Sequence, residues 1–296
     1  MTSRQLAMGG LVLCTLAWAG NALVARATAG ILPPIGLSFW RWTTALLLLL
    51  PFTLRGLWLH RHALASRWPR VAVLAGLSIS SYNTLLYLAA QSTTAINITL
   101  VNTGLPVAAF LWSIVLLRLW PTRMTLLGAG LSFLGLLVIL TLGEPARLLS
   151  LTFNSGDLIM VIAVFTWGLY SVLLRKWALP VPGMIQLSAM LIFGVPLLLP
   201  FYLWELTRTR GMPLAIESAL AVAYTAVFAS IVAYLAWNNG VKVLGPASAS
   251  LFSYLMPVFA ALLSVVLLGE ALRWYHLVGG TFTFVGLLLA TREPRP

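Results

Sequence analysis

The sequence predicts an all-α integral membrane protein: ten transmembrane helices arranged as two inverted five-helix repeats. Three observations predict it. Only 8% of the 296 residues are charged and 60% are hydrophobic, whereas a soluble domain carries about 25% charged residues. The apolar residues gather into ten stretches, each close to the roughly 20 residues that cross ~30 Å of hydrocarbon. Motifs from the first half of the chain return in the second at a nearly constant interval.

The first stretch, about 5–26, is longer than the apolar core of a signal peptide and is expected to stay in the fold. Its "TLAWAGNALVAR" supplies Trp18, Asn21 and Arg26. The second, about 35–54, carries "FWRW", with Arg41 roughly six residues, or ~9 Å at 1.5 Å per residue, inside the helix end. Arg41 is expected to snorkel outward between interfacial Trp40 and Trp42. A carboxylate-binding role is the alternative. The third stretch, about 70–91, spaces Asn83, Tyr87 and Gln91 by four, which puts them on one helix face beside Tyr82. The fourth, about 95–117, sets Asn102 and Thr103 just before Pro106. Its "NIT" at 97–99 is formally a glycosylation sequon, but one too near the membrane to serve. In the fifth, about 123–142, Gly128 and Gly135 mark close helix packing.

The sixth stretch, about 158–178, holds "VFTWGLYSVLLRK", with Trp167, Tyr170 and Arg175. The seventh, about 184–204, contains Pro200-Phe201; the eighth, about 216–238, contains Ser230, Tyr234 and Asn238. The ninth, about 246–268, sets Ser253 and Tyr254 before Pro257, and the tenth, about 273–291, carries Gly279, Phe284 and Gly286.

These later residues repeat the earlier ones. Trp18 and Trp167, Arg26 and Arg175, and Pro51-Phe52 and Pro200-Phe201 are each 149 apart. "LPVAAFLWSIVLL" at 105–117 and "MPVFAALLSVVLL" at 256–268 are 151 apart, as are Gly128, Phe133 and Gly135 from Gly279, Phe284 and Gly286. The stripe Asn83, Tyr87, Gln91 finds Ser230, Tyr234, Asn238 at 147. The expected halves are residues 1–148 and 149–296. Five helices per half insert the second copy upside down. Inverted repeats are characteristic of secondary transporters, whose substrate site lies near the midplane between the halves.

The net charge of +12 would suggest nucleic acid in a soluble protein, but the basic residues lie mainly in loops. With the N-terminus inside, twelve lie on the cytoplasmic side (Arg4, Arg55, Arg61, Arg67, Arg70, Arg118, Arg123, Arg175, Lys176, Lys242, Arg292 and Arg295). Five lie outside (Arg26, Arg147, Arg208, Arg210 and Arg273). Both termini are therefore expected in the cytoplasm of a bacterial-type inner membrane. No nucleic-acid partner is expected. Cys14 is the single cysteine, and neither metal-ligand spacing nor a Gly-rich phosphate loop is present, so no cofactor, metal or ATP is expected.

Polar groups face lipid only at high cost, so the duplicated polar and aromatic positions should line a wet cavity. The candidate substrate-binding residues are Trp18, Asn21, Tyr82, Asn83, Tyr87, Gln91, Asn102, Thr103, Trp167, Tyr170, Ser230, Tyr234, Asn238, Ser253 and Tyr254. The competing role for such residues is interhelical hydrogen bonding. Pro106 and Pro257 are expected to kink their helices, and the freed carbonyls are candidates to hold a substrate ammonium.

"AWAGNALVAR", "GDLIMVIAVFTWGLYSVLLRK" and "LFSYLMPVFAALLSVVLLGEALRWYHLVGG" resemble the drug/metabolite transporter superfamily in its ten-helix EamA branch, over nearly the whole chain. Within that branch the chain resembles the YddG-type aromatic amino-acid exporters. The acidic mark of the family, Glu270, has Leu119 as its counterpart in the first half. The resemblance implies metabolite efflux and leaves the metabolite open.

The six acids, Glu144, Asp157, Glu205, Glu217, Glu270 and Glu293, all fall at or beyond helix ends. A mid-membrane proton relay is thus missing, and so is a counter-ion for a lipophilic cation. Sugar phosphates would want paired basic residues. A pocket of Trp, Tyr and Asn suits a net-neutral amphipathic solute, an aromatic or hydrophobic amino acid above all, exported by a facilitated uniporter. Other neutral metabolites or drugs, such as a nucleobase, stay open, as does a non-transporting scaffold. A membrane-embedded enzyme would need a nucleophile–base pair or metal ligands, which the core lacks. The expected partners are the small-molecule substrate and the lipid bilayer, with the chain working as a monomer or weak dimer.

Overall fold

The computed structural model of the 296-residue chain describes residues 2–28, 30–268 and 271–291. Glu270, Arg292, Glu293, Arg295 and the side chain of Arg26, named above, lie outside the described residues. Among the described residues every regular element is helical.

The helices are α1 (Ser3–Thr28), α2 (Pro34–Leu59), α3 (Trp68–Ala89) and α4 (Ala95–Asn102 and Leu105–Leu117). They continue with α5 (Arg123–Leu140), α6 (Ser155–Lys176), α7 (Gly183–Leu206) and α8 (Ile216–Leu244). The last two are α9 (Pro246–Ser250, Leu251–Tyr254 and Leu255–Leu268) and α10 (Trp274–Ala290). All ten apolar stretches become helices. α2 and α8 run past the expected ends at 54 and 238, because a helix leaving the hydrocarbon continues in water without needing apolar residues.

Capping places the helix starts. Asn154 Oδ1 accepts from the Gly156 N–H at 2.9 Å while Asp157 Oδ2 accepts from the Asn154 N–H at 2.8 Å, a reciprocal box that opens α6. α2 is capped from a distance. The Glu205 carboxylate, at the end of α7, accepts from the Ile35 and Gly36 N–H groups at 3.0 and 2.6 Å. Those donors have no partner inside their own helix, so the buried charge meets the positive end of the helix dipole.

Packing follows an inverted two-fold pattern. α1 lies against α8 and α9, as α6 lies against α3 and α4; α2 crosses α7, and α5 crosses α10. The α5–α10 crossing is reciprocal to the atom. A Cβ on Gly128 would meet Gly286 O at 2.4 Å, and one on Gly135 would meet Gly279 O at 2.4 Å. At the centre, Ser132 Oγ donates to Thr283 O at 3.0 Å and Thr283 Oγ1 to Ser132 O at 3.4 Å. Only glycine lets two backbones come this close.

Two departures from straight α-helix concern the site. α4 and α9 break at Thr103-Gly104 and at Leu251–Tyr254, just before Pro106 and Pro257, as expected. α3 and α8 contain π-helical turns at Gly76–Tyr82 and Thr225–Val232, which the sequence reading did not foresee. Such turns leave carbonyls displaced from the regular ladder and recur at functional sites.

Candidate functional site

A cavity of about 310 Å³ lies between the two repeats. Its wall comes from α1 (Trp18, Asn21), α3 (Tyr82, Asn83), α4 (Asn102, Thr103), α6 (Trp167), α8 (Tyr234) and α9 (Ser253, Tyr254). Among the described residues no Asp, Glu, Lys or Arg lines it. Ala22 and Ala90, exposed at its rim, put the mouth toward the face opposite the termini. Toward the terminal face the path ends in aromatic rings.

Those rings form the floor. The indoles of Trp18 and Trp167, repeat mates, meet edge-on with centroids 5.3 Å apart. Trp237 packs 5.1 Å from Trp18 and 5.5 Å from Trp167, and Tyr234 sits 5.5 Å from Trp167. Tyr82 approaches Trp167 at 4.9 Å and donates its hydroxyl to Asn102 Oδ1 at 3.0 Å. Beneath them Tyr170 donates to Asn238 Oδ1 at 2.6 Å. Fully buried Leu11, Cys14 and Val241 fill the space below.

The π-helical turns supply the polar side of the wall. Asn83 Nδ2 and Ser230 Oγ, repeat mates, donate to carbonyls five residues back, Ser78 O at 3.5 Å and Thr225 O at 2.8 Å. Tyr234 donates across the interface to Ser78 O at 2.9 Å. Trp18 Nε1 donates to Ala229 O, in the α8 turn, at 3.1 Å. In Trp167 the equivalent N–H is buried with no hydrogen-bond partner.

Arg41 corrects an expectation. It does not snorkel; it is 1% exposed and turned into the protein. Nε donates to Ser230 Oγ at 2.5 Å and Nη2 to Ala229 O at 2.8 Å, while Nη1 reaches Asn83 Oδ1 at 3.1 Å, Asn21 Oδ1 at 3.4 Å and the Tyr87 hydroxyl at 3.4 Å. An arginine inside a membrane span carries a cost that reaches roughly 2.5–3.5 kcal/mol at the bilayer centre on insertion scales, and this ring of acceptors offsets it without exposing the group to lipid. Trp42 is likewise not interfacial. It is fully buried, with its ring 4.9 Å from Tyr234 and 4.7 Å from the Arg41 guanidinium. The sequence did hold a signal: Ser38, Arg41, Ala45 and Leu49 share one buried face of α2. Trp40 keeps its expected exposure and donates to the Tyr202 hydroxyl at 3.1 Å.

Of the fifteen candidates, ten line the cavity, from Trp18 through Tyr254 as named above. Tyr87 and Ser230 stand behind the wall on Arg41, and Tyr170 and Asn238 lie under the floor. Gln91 does not line the cavity. α3 ends at Ala89 and the chain turns, so the four-residue spacing no longer keeps Gln91 on the stripe; its amide reaches back only to Tyr87 O at 3.5 Å. Asn97 of the sequon is buried and donates to Asp157 Oδ2 at 3.0 Å, which occupies it structurally. Thr93, at the cavity mouth, donates to the other carboxylate oxygen at 2.5 Å.

The model of the EamA-like transporter family matches residues 5–141 and, a second time, residues 154–292. The chain belongs to this family. It is 28% identical over 285 residues to an uncharacterized transporter of Archaeoglobus fulgidus, covering 96% of each chain. The transporter YyaM of Bacillus subtilis is 25% identical over 268 residues, 90% of this chain and 88% of its own. The inner membrane transporter YedA of Escherichia coli K12 is 31% identical over 137 residues, 45% of this chain and 44% of its own. A protein of known crystal structure shares the fold, with a TM-score of 0.78 and 23% identity over 97% of this chain and 98% of that one. The protein is thus an EamA-family membrane transporter of small solutes rather than an enzyme, set in a lipid bilayer as a multi-pass chain.

Proposed function

We propose that this EamA-family transporter exports small amphipathic metabolites, aromatic and hydrophobic amino acids foremost, by alternating access between its two repeats. One observation carries the reading: a cavity of about 310 Å³ whose described lining is uncharged, with Trp18, Trp167 and Tyr82 at its base and Asn, Thr and Ser on its wall. That volume is at the small end of ligand pockets, roughly 300–1,000 Å³, and suits one small metabolite. A substrate ring on this floor gains about 0.5–1.5 kcal/mol beyond its buried area. Pro106 withholds the N–H that would bond the carbonyl of Asn102, which leaves it available to a substrate ammonium, while the Ser253 carbonyl already accepts a backbone N–H at the end of the Leu251–Tyr254 turn.

The charge bias of the loops supports a cytoplasmic position for both termini. In that orientation the mouth opens outward and the aromatic floor closes the cytoplasmic end. The absence of acids among the described lining residues supports movement of substrate down its own gradient. The resemblance of "AWAGNALVAR" and its echo to the YddG-type exporters points to the same substrates.

Counterflow in proteoliposomes loaded with unlabelled solute tests the reading. Labelled phenylalanine should accumulate fastest, threonine more slowly and uracil at the protein-free rate. Uracil counterflow without phenylalanine counterflow would overturn it.

A further inference from the structure

Arg41 is a full positive charge in the membrane interior, and every acceptor around it is neutral. Among the described residues no carboxylate stands within ion-pair distance of it. Its guanidinium is also unevenly engaged. Nε and Nη2 are committed to α8 at 2.5 and 2.8 Å, but Nη1 makes three looser contacts of 3.1 to 3.4 Å. Two of these go to Asn21 and Asn83, which line the cavity. The loosely held N–H groups therefore point at the wall, with one layer of amide between them and the solute.

We infer that Arg41 is the subsite for a carboxylate on the transported solute. The inference rests on the amino-acid reading above and deepens it: the cargo is recognised by its carboxylate as well as its ring. A carboxylate entering between Asn21 and Asn83 exchanges long neutral acceptors for an ionic one, which makes a shorter and stronger bond to a guanidinium. Trp18 lies three residues from Asn21, on the same face of α1, so the ring of the solute rests on the floor while its carboxylate reaches the wall. The residue equivalent to Arg41 in the second half is the fully buried Met190. A single charge gives one cavity two unlike sides, as a solute with one carboxylate requires.

The experiment compares counterflow and binding of phenylalanine, 3-phenylpropionate, phenylalaninamide and phenethylamine, in the wild type, Arg41→Gln and Asn21→Asp. In the wild type, removing the carboxylate should weaken binding at least about tenfold, the scale of a lost charge-assisted hydrogen bond. Arg41→Gln should bring phenylalanine down to the level of phenethylamine and leave phenethylamine unchanged. Asn21→Asp sets a fixed carboxylate beside Arg41, so it should weaken phenylalanine relative to phenethylamine, whose ammonium a wall carboxylate attracts, even if Arg41→Gln fails to fold. Equal treatment of phenylalanine and phenethylamine by the wild type overturns the inference, as does an equal loss of both in the variants. Transport of 3-phenylpropionate but not phenylalanine would remove the amino-acid reading and keep the carboxylate subsite. Transport of uracil or phenethylamine with neither acid would remove both.

Discussion

Trp18 and Trp167 are repeat mates with unequal duties. The Trp18 N–H bonds Ala229 O at 3.1 Å, while that of Trp167 is buried without a partner. Trp18→Phe should therefore lower stability by about 1 kcal/mol more than Trp167→Phe, the net value of one hydrogen bond. Thermal melts in detergent measure this, and equal shifts would show that the Trp18 bond contributes nothing. Trp167→Ala removes part of the floor and should reduce phenylalanine counterflow several-fold more than threonine counterflow, since the ring contact is worth about 0.5–1.5 kcal/mol. An equal loss for both substrates would make Trp167 a packing residue, whose truncation costs about 3–5 kcal/mol of stability. The aromatic pair was legible in the sequence because duplication marks it. Arg41 carries no such mark, since Met190 stands in the other copy, and its place near a helix end between Trp40 and Trp42 suits snorkelling equally well. Residue type and spacing show which helix face a side chain shares, but the rotation of α2 about its axis is decided by packing against α7 and α8.

At the scale of helices, the ten spans followed from apolar length alone, and their breaks followed from Pro106 and Pro257. The π-helical turns did not, because what holds them is distant in sequence: Arg41 and Trp18 on Ala229 O, and Tyr234 on Ser78 O. Apolar content reads the same in either kind of turn. Ser230→Ala would strip Arg41 of its shortest bond and the α8 turn of its own cap, at a cost of about 1.5–3 kcal/mol for a bond to a charged group. A melting temperature equal to that of the wild type would show that the turn does not depend on this serine. The glycine seam gives a sharper contrast. Gly135→Ala and Gly279→Ala each drive a methyl against the backbone of the other helix at 2.4 Å, and each should cost about 1–3 kcal/mol. Gly130→Ala has open space around it and should be neutral or stabilising by about 0.5–1 kcal/mol. Similar melting temperatures for all three variants would contradict the close approach.

For the whole molecule, the fold class and the reciprocal halves were legible because a constant interval survives any ambiguity in helix ends; the direction in which the cavity opens was not, since sequence records both states of a moving pair at once. Orientation is measurable. Leu64→Cys in a Cys14→Ala background should react with a membrane-impermeant reagent only from the cytoplasmic side, and labelling of intact cells from outside would reverse the assignment. Uptake into proteoliposomes should proceed without a proton gradient, and strict dependence of accumulation on an imposed pH step would reveal a titrating group in the path. The seam between α5 and α10 also bears on how such a chain came to be. Gly128, Ser132 and Gly135 meet Gly279, Thr283 and Gly286 reciprocally, so the first half carries a surface complementary to an upside-down copy of itself. A single five-helix ancestor inserted in both directions would already pair through that surface. Joining two copies in one chain adds a freedom that such a pair lacks, because each half then changes alone. The same freedom lets one guanidinium, rather than two, stand beside the cavity.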